Sequence, residues 1–227
     1  MNAPAVLLLT TSAALLIASR RQAVGAIEAG DADLLGGFSV DALTGRAEAF
    51  INVITEQPAA VDMDTAQRNI QAALYALRRA EGTEGRGDPY RVCYGYSHTI
   101  MSFADHPAVT GEWRGVVLPE AMCRNAGFGP GCKSTAAGAY QIIKPTWIDL
   151  KRAMRLPDFS PASQDAAAVE LIRRQGALED VKAGRFAAAM HKCRQVWASL
   201  PGNYAKQGQR SIGELSEWYA SAGGAFA

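Results

Sequence analysis

The sequence has almost no net charge and few of the side chains that bind transition metals. Its 23 lysines and arginines nearly balance 22 aspartates and glutamates over 227 residues, so the charge gives no reason to expect a nucleic-acid partner. Three histidines and the lack of any Cys-x-x-Cys motif leave zinc without a ligand set. We therefore expect neither a metal site nor another cofactor.

Only four cysteines are present, and two of them bracket a loop rich in glycine. Cys123 and Cys132 enclose a stretch that a disulfide could close at low strain, which would suit an oxidising compartment such as the periplasm. Two reduced thiols in a loop are an equally open interpretation. Cys193 lies at helical spacing from Phe186 and Met190, so we expect it to be buried as an apolar residue.

An apolar run without charges lies at residues 3–19, and at roughly 17 residues it is at the short limit for a helix that spans a bilayer. A cleaved signal peptide would carry basic residues before this run, but Arg20 and Arg21 follow it. The same charges would hold the rest of the chain on the cytoplasmic side. We therefore expect an uncleaved segment that anchors the chain in a membrane before release or docks on other proteins, for example in a virus particle. Residues 1–64 would then be an N-terminal extension with a linker, and residues 65–227 the main domain.

The main domain is expected to begin with a helix that ends at a glutamate, Glu81. Asp64 is its predicted N-cap, and Gly82 supplies the left-handed residue after the last turn. The sequence therefore predicts a helix over about residues 65–81 with its last carboxylate on the buried face. The apolar stripe that supports this prediction precedes the glutamate by four, seven and eleven positions, at Leu77, Leu74 and Ile70.

A carboxylate in this position is expected to keep its proton near neutral pH. Burial on the apolar stripe disfavours the charged form of Glu81, and so does the negative end of the helix dipole. Both effects raise the pKa and suit a general acid. The competing interpretation is a helix end that turns to solvent or pairs with Arg78 or Arg79, and periodicity alone favours it.

One short region has the alternating pattern of a β-strand. Within residues 88–100, aromatic and β-branched side chains recur at every second position, which predicts a hairpin or small sheet. Its aromatic face either lines a sugar-binding groove or is structural. The alternating residues are Tyr90, Val92, Tyr94 and Tyr96.

The remaining signals predict helices. Ser160 caps a helix that begins at Pro161 and is closed by Gly176. An apolar stripe predicts a further helix over Arg185–Leu200, and a capping box begun by Ser211 opens the last one.

Short stretches between Ala80 and Gly224 match one known family in the same order along the chain. They are Glu81–Thr83, Asp105–Pro107, Lys133–Thr135, Gly138, Tyr140–Gln141, Asp158–Pro161, Ser163–Ala166, Gly176–Leu178 and Trp197–Gly202. Each stretch is weak alone, but together they resemble the endolysins of the bacteriophage lambda type. That family consists of peptidoglycan lytic transglycosylases with a lysozyme-like fold.

The resemblance implies a mainly α (α+β) fold, in which a two-lobed lysozyme-like domain with a small β hairpin or sheet lobe holds the glycan between its lobes. Glu81 matches the catalytic glutamate of the family, which reverses the preference that periodicity gave. Tyr140 and Gln141 resemble the groove motif in which a glutamine near the acid contacts the sugar. Thr135, in a matching stretch, and Tyr204, just after the last one, are further predicted substrate-binding residues.

The resemblance also implies a reaction with one catalytic carboxylate. Glu81 is expected to protonate the oxygen between N-acetylmuramic acid and N-acetylglucosamine, and then to take the proton of the C6 hydroxyl as a 1,6-anhydro ring closes. Hydrolysis would need a second carboxylate, for which Asp88 and Asp105 are the candidates. The alternatives are therefore a hydrolytic muramidase, or a virion structural or docking protein with a vestigial enzyme domain.

The expected partner is the glycan strand of peptidoglycan, and no nucleic acid. The enzyme would act in the periplasm or cell wall of a bacterial host. Residues 3–19 would contact either the membrane before release or a protein of the virion.

Overall fold

The computed structural model describes residues 62–85, 87–125, 127–203 and 208–227. The predicted extension lies outside these ranges apart from residues 62–64, and so does the apolar segment 3–19. Within the described ranges, no helix is both long enough and apolar enough to cross a bilayer.

The described chain is mainly helical and contains one small antiparallel sheet, as predicted. Strands β1 (Val116–Val117) and β2 (Lys133–Ser134) form this sheet, with Val116 opposite Ser134. The α-helices are α1 (Met63–Ala80), α2 (Pro107–Thr110), α3 (Glu120–Asn125), α4 (Lys144–Met154), α5 (Pro161–Arg174), α6 (Leu178–Lys182), α7 (Phe186–Cys193) and α8 (Ile212–Ser221).

Helix α1 has the buried stripe that its sequence predicts. Leu74 and Leu77 are at most 1% exposed, and alanines between them let neighbouring helices approach closely. The predicted N-cap is wrong, because Asp64 pairs with Arg68 one turn later and Asp62 caps the helix instead. At the other end, Gly82 has a φ of +73°, the left-handed conformation that ends a helix.

The core surrounds α1, which packs against α5, α6 and α8. Among the ring contacts of this core, Phe186 of α7 stacks on Tyr219 of α8 with ring centroids 4.3 Å apart. Asn69 is buried within α1, and its side chain donates to the Lys182 carbonyl and accepts from the Ala225 amide. These bonds hold the first half of α1 against α6 and the C-terminal residues.

The hairpin or small sheet predicted at residues 88–100 is present only as an isolated antiparallel bridge. The chain there forms two 3₁₀ turns, Pro89–Arg91 and Tyr94–Tyr96, and Val92 pairs with Thr99 while Cys93 pairs with Ala137. Positive φ angles at Gly95 and Tyr96 turn the chain in the middle of the alternation, which leaves no room for a strand. The sheet forms further along the chain, at β1 and β2.

The predicted caps at the start of two later helices are confirmed. The Ser160 side chain accepts from the Ser163 amide at the start of α5, and Ser211 and Glu214 form the predicted capping box at the start of α8. The helix predicted over Arg185–Leu200 is too long, because it ends at Cys193. There the amides of residues 196 and 197 both donate to the Cys193 carbonyl and the chain continues in turns.

The structure contains a disulfide between Cys123 and Cys132, with their Cα atoms 5.8 Å apart. The bond closes the segment that carries α3 and leads into β2. On the other side of the loop, the Leu118 amide donates to the Cys132 carbonyl. Cys93 and Cys193 are buried free thiols.

We predict that replacing both bridged cysteines, Cys123→Ser with Cys132→Ser, lowers the free energy of unfolding by about 2–3 kcal/mol, because the unfolded chain regains the freedom that the short loop had lost. Thermal unfolding with and without reductant measures the effect. Reductant should lower the melting temperature of the wild-type chain and leave that of the double variant unchanged. A double variant as stable as the oxidised wild type would contradict the prediction.

Candidate active site

Glu81 lies in the wall of a cleft of about 340 Å³. The end of α1 forms one side of this cleft, and the turn of residues 92–96 forms the next. The remaining lining comes from Leu118, from parts of residues 134–143 and from residues 196–198. Segments far apart in sequence therefore meet around one carboxylate.

The carboxylate of Glu81 accepts a hydrogen bond from a side chain that is far away in the sequence. The Ser199 hydroxyl donates to Glu81 Oε1 at 2.5 Å. Burial raises the pKa of Glu81 to about 7, and the hydrogen bond from Ser199 lowers it only in part. The side chain is therefore substantially protonated at neutral pH, as a general acid must be.

Neither nearby arginine pairs with Glu81. Arg78 Nε donates to Glu84 Oε2 at 2.7 Å, and the guanidinium of Arg79 lies 5.2 Å from the centre of the Trp218 ring. The solvent-facing or arginine-paired helix end that periodicity favoured is therefore not the arrangement in the structure.

Thr83 fastens the end of α1 to the loop that follows β2. This residue is 1% exposed, and its hydroxyl lies 2.7 Å from the Ala139 carbonyl and 3.2 Å from the Arg78 carbonyl. In the matching stretch Glu81–Thr83, the first residue supplies the carboxylate, the glycine ends the helix, and the threonine fastens this end to the loop that follows β2.

Gln141 lines the cleft, and its predicted contact with the sugar stays a prediction; its amide is also part of the framework. Its Nε2 donates to the carbonyls of Val92 and Gly138, at 3.1 and 3.0 Å. Its own φ is +48°, so the backbone is turned sharply at this position. These bonds join the turn of residues 92–96 to the loop that carries Gln141.

Tyr140 supports the cleft from behind instead of lining it. The side chain is 1% exposed, and its hydroxyl donates to Asp165 Oδ1 at 2.5 Å and accepts from Arg78 Nη1 at 3.1 Å. Its carbonyl accepts from Trp197 Nε1 at 3.1 Å. The predicted contact between the Tyr140 side chain and the glycan is therefore corrected, because adjacent residues in this turn face opposite sides.

Thr135, a predicted substrate-binding residue, is not among the described residues that line the cleft. Thr135 Oγ1 accepts from the Lys144 amide at 3.0 Å, so it caps the start of α4. Tyr204 lies outside the described residues, and its predicted role stays a prediction.

Gln164 organises the loop that carries Gln141, although sequence reasoning assigned it no role in the site. It is fully buried, and its side chain accepts from the Ala139 amide and donates to the carbonyls of Tyr90 and Phe159. At Gly138, which has a φ of +77°, a Cβ atom would lie only 2.2 Å from Gln164 Oε1. Both positions lie in stretches that match the family, Gly138 and Ser163–Ala166, and this is the sequence signal for their contact.

The two candidates for a second catalytic carboxylate lie elsewhere. Asp88 is exposed, caps a 3₁₀ turn and pairs with Arg91 at 3.2 Å. Asp105 borders a different surface pocket. Although burial raises the pKa of Asp105, hydrogen bonds from Lys151 and Trp147 outweigh it and hold the pKa below its usual range.

Glu81 is therefore the one carboxylate among the described residues that line the cleft. In the same described ranges, no group of three histidine, cysteine, aspartate or glutamate side chains is placed to hold a metal ion.

A protein-family model described as Endolysin matches residues 71–226 of the chain. The chain belongs to the endolysin family. It is 36% identical over 157 residues to the endolysin of Escherichia phage P2, a match that covers 69% of this chain and 94% of that protein. It is 33% identical over 159 residues to the endolysin of Escherichia phage lambda, which covers 68% of this chain and 90% of that one.

Solved structures of the bacteriophage lambda lysozyme have the same fold as this endolysin. One of them, complexed with a chitohexasaccharide, superposes with a TM-score of 0.59 and 30% identity, covering 70% of this chain and 97% of the other. A second structure of the same lysozyme gives a TM-score of 0.56. The predicted lysozyme-like fold is thereby confirmed.

We predict that Ser199→Ala moves the alkaline limb of the activity profile to higher pH. The serine favours the ionised carboxylate, so its removal raises the pKa of Glu81 further and keeps the acid protonated in more alkaline solution. The measurement is the rate of wall clearing against pH. Ser134→Ala is the matched control, because Ser134 lines the cleft and its hydroxyl bonds the Ala136 amide. An alkaline limb that stays in place in Ser199→Ala would contradict the assignment.

The raised pKa also predicts a pH-dependent stability. Because the pKa of Glu81 rises from 4.5 to about 7 on folding, the folded state favours the proton, and stability falls as the pH rises through this window. Glu81→Gln removes the buried charge and should raise the free energy of unfolding at about pH 8 by up to about 3 kcal/mol, with little change near about pH 4. Denaturant unfolding of the wild type and the variant at both pH values measures this difference in free energy. A difference of the same size at the two pH values would contradict the prediction.

Proposed function

We propose that this endolysin is a lytic transglycosylase. It cleaves the β-1,4 bond between N-acetylmuramic acid and N-acetylglucosamine in peptidoglycan and leaves a 1,6-anhydro end on the muramic acid. Membership of the endolysin family supports the degradation of peptidoglycan. The finer assignment is supported by one observation: a single carboxylate, with a pKa of about 7, lies among the described residues that line the cleft.

In the first step, protonated Glu81 donates its proton to the glycosidic oxygen. The bond from this oxygen to C1 of the muramic acid breaks, and positive charge develops at C1 with help from the N-acetyl group of the substrate. The N-acetylglucosamine side leaves with the proton. Burial of Glu81 supports this step, because it keeps the acid protonated until the substrate arrives.

In the second step, ionised Glu81 takes the proton of the C6 hydroxyl as that oxygen attacks C1. The ring closes without consuming water, and Glu81 returns to its protonated form. A pKa near 7 suits both steps, since the same group must first lose a proton and then regain it. The Ser199 hydroxyl steadies the intermediate state, because its bond to Glu81 strengthens when the carboxylate is charged.

Hydrolysis is the less supported reaction for this cleft. Glycosidases that retain or invert configuration use two carboxyl groups about 5–9.5 Å apart on either side of the scissile bond. Asp88 and Asp105 are bound to other partners away from the cleft lining. These contacts support ring closure by the substrate over attack by an activated water.

The substrate in this proposal is the glycan strand, and the place of action is the wall of a bacterial host. A related lysozyme has been solved with a chitohexasaccharide, which supports binding of a β-1,4-linked N-acetyl sugar chain in the equivalent cleft. The role of residues 3–19 as a membrane anchor or a virion docking helix stays a prediction of the sequence.

The mass of the released muropeptides tests the proposal. We predict anhydro ends, which are lighter by one water than hydrolytic ends. Glu81→Gln should lower the rate by about 10²–10⁴-fold, the usual contribution of a general acid. Asp88→Asn is the matched control, since asparagine caps the turn equally well and no carboxylate is lost from the cleft. Purely hydrolytic products, or full activity in Glu81→Gln, would overturn the assignment.

A further inference from the structure

The turn beside Glu81 has a tyrosine where the backbone favours glycine. Its two central residues have positive φ angles, +64° at Gly95 and +56° at Tyr96. The Ser97 amide donates to the Tyr94 carbonyl at 3.4 Å and closes the turn. A central pair with positive φ is typical of a tight turn built from glycine or asparagine, and it is costly for a side chain as large as tyrosine.

Burial in the core does not account for this tyrosine. The Tyr96 side chain is 48% exposed, so it contributes little to the core. The residue lines the cleft. A strained backbone conformation at a residue that lines the cleft is typical of a functional site.

The hydroxyl of Tyr96 fixes the ring next to the acid. It donates at 2.5 Å to the carbonyl of Gly82, the residue that follows Glu81. The hydroxyl of Ser199, which is far from Glu81 in the sequence, donates to the carboxylate of Glu81. The aromatic ring is therefore anchored within one residue of the group that protonates the substrate.

We propose that Tyr96 is a substrate-positioning residue, whose ring stacks against the sugar bound beside Glu81. The C–H face of a pyranose is apolar and packs on the face of an aromatic ring, and a ring that is anchored in advance loses little freedom on binding. This inference rests on the proposed function, since it requires a glycan in the cleft. The bond to Gly82 then sets the distance between the sugar and the acid.

Glycan binding in an inactive background tests the proposal without any turnover. The probe is chitohexaose, and the measurement is its Kd by calorimetry with Glu81→Gln as the reference chain. Adding Tyr96→Gly, which removes the ring and accepts the positive φ, should raise the Kd about tenfold or more. Adding Tyr96→Phe, which keeps the ring, should restore most of the affinity.

The controls separate positioning from structure. Phe128→Ala removes an exposed aromatic side chain that does not line the cleft, and it should leave the Kd unchanged. A Tyr96→Gly chain that binds as tightly as the reference, whatever its melting temperature, would overturn the proposal. A reference chain that does not bind chitohexaose at all would overturn glycan binding itself, and with it this inference. Hydrolytic products from the active enzyme would overturn only the transglycosylase assignment.

Discussion

The hydroxyl of Ser199 donates to the carboxylate of Glu81 across 118 residues of sequence, and this contact adjusts the pKa of the one carboxylate among the described residues that line the cleft. Glu81 stands at the end of α1, whereas Ser199 belongs to the turns after α7. Burial alone would hold the proton on the carboxylate, and the serine makes its release easier. The balance leaves one group that can act as an acid and then as a base.

A buried polar network keeps the end of α1 in place behind this contact. Tyr140 connects Arg78 of α1 with Asp165 of α5, and Thr83 fastens the residues after Glu81 to the same loop. Buried polar groups whose hydrogen bonds are all made specify one arrangement of the segments that carry them. Several residues in the stretches that match the endolysin family thus support the residues that line the cleft.

Local signals in the sequence were enough to predict much of the helical fold. The stripe of α1, the glycine after it and the serine caps of α5 and α8 all depend on interactions within one or two turns. The signals failed where distant contacts decide. Alternation at residues 88–100 did not reveal the turn at Gly95, and the apolar stripe after Phe186 did not reveal that α7 ends at Cys193.

The sequence by itself determined that a helix ends at Glu81, and the ordered resemblance singled this residue out as the candidate acid. Only the tertiary structure decided what surrounds it. Gln141 lines the cleft while its neighbour Tyr140 lies behind it, and Asp105 is held by Lys151 away from it. The physical reason is that helix signals depend on near neighbours in the chain, whereas the pKa of a carboxylate and the lining of a cleft depend on segments that meet only after folding.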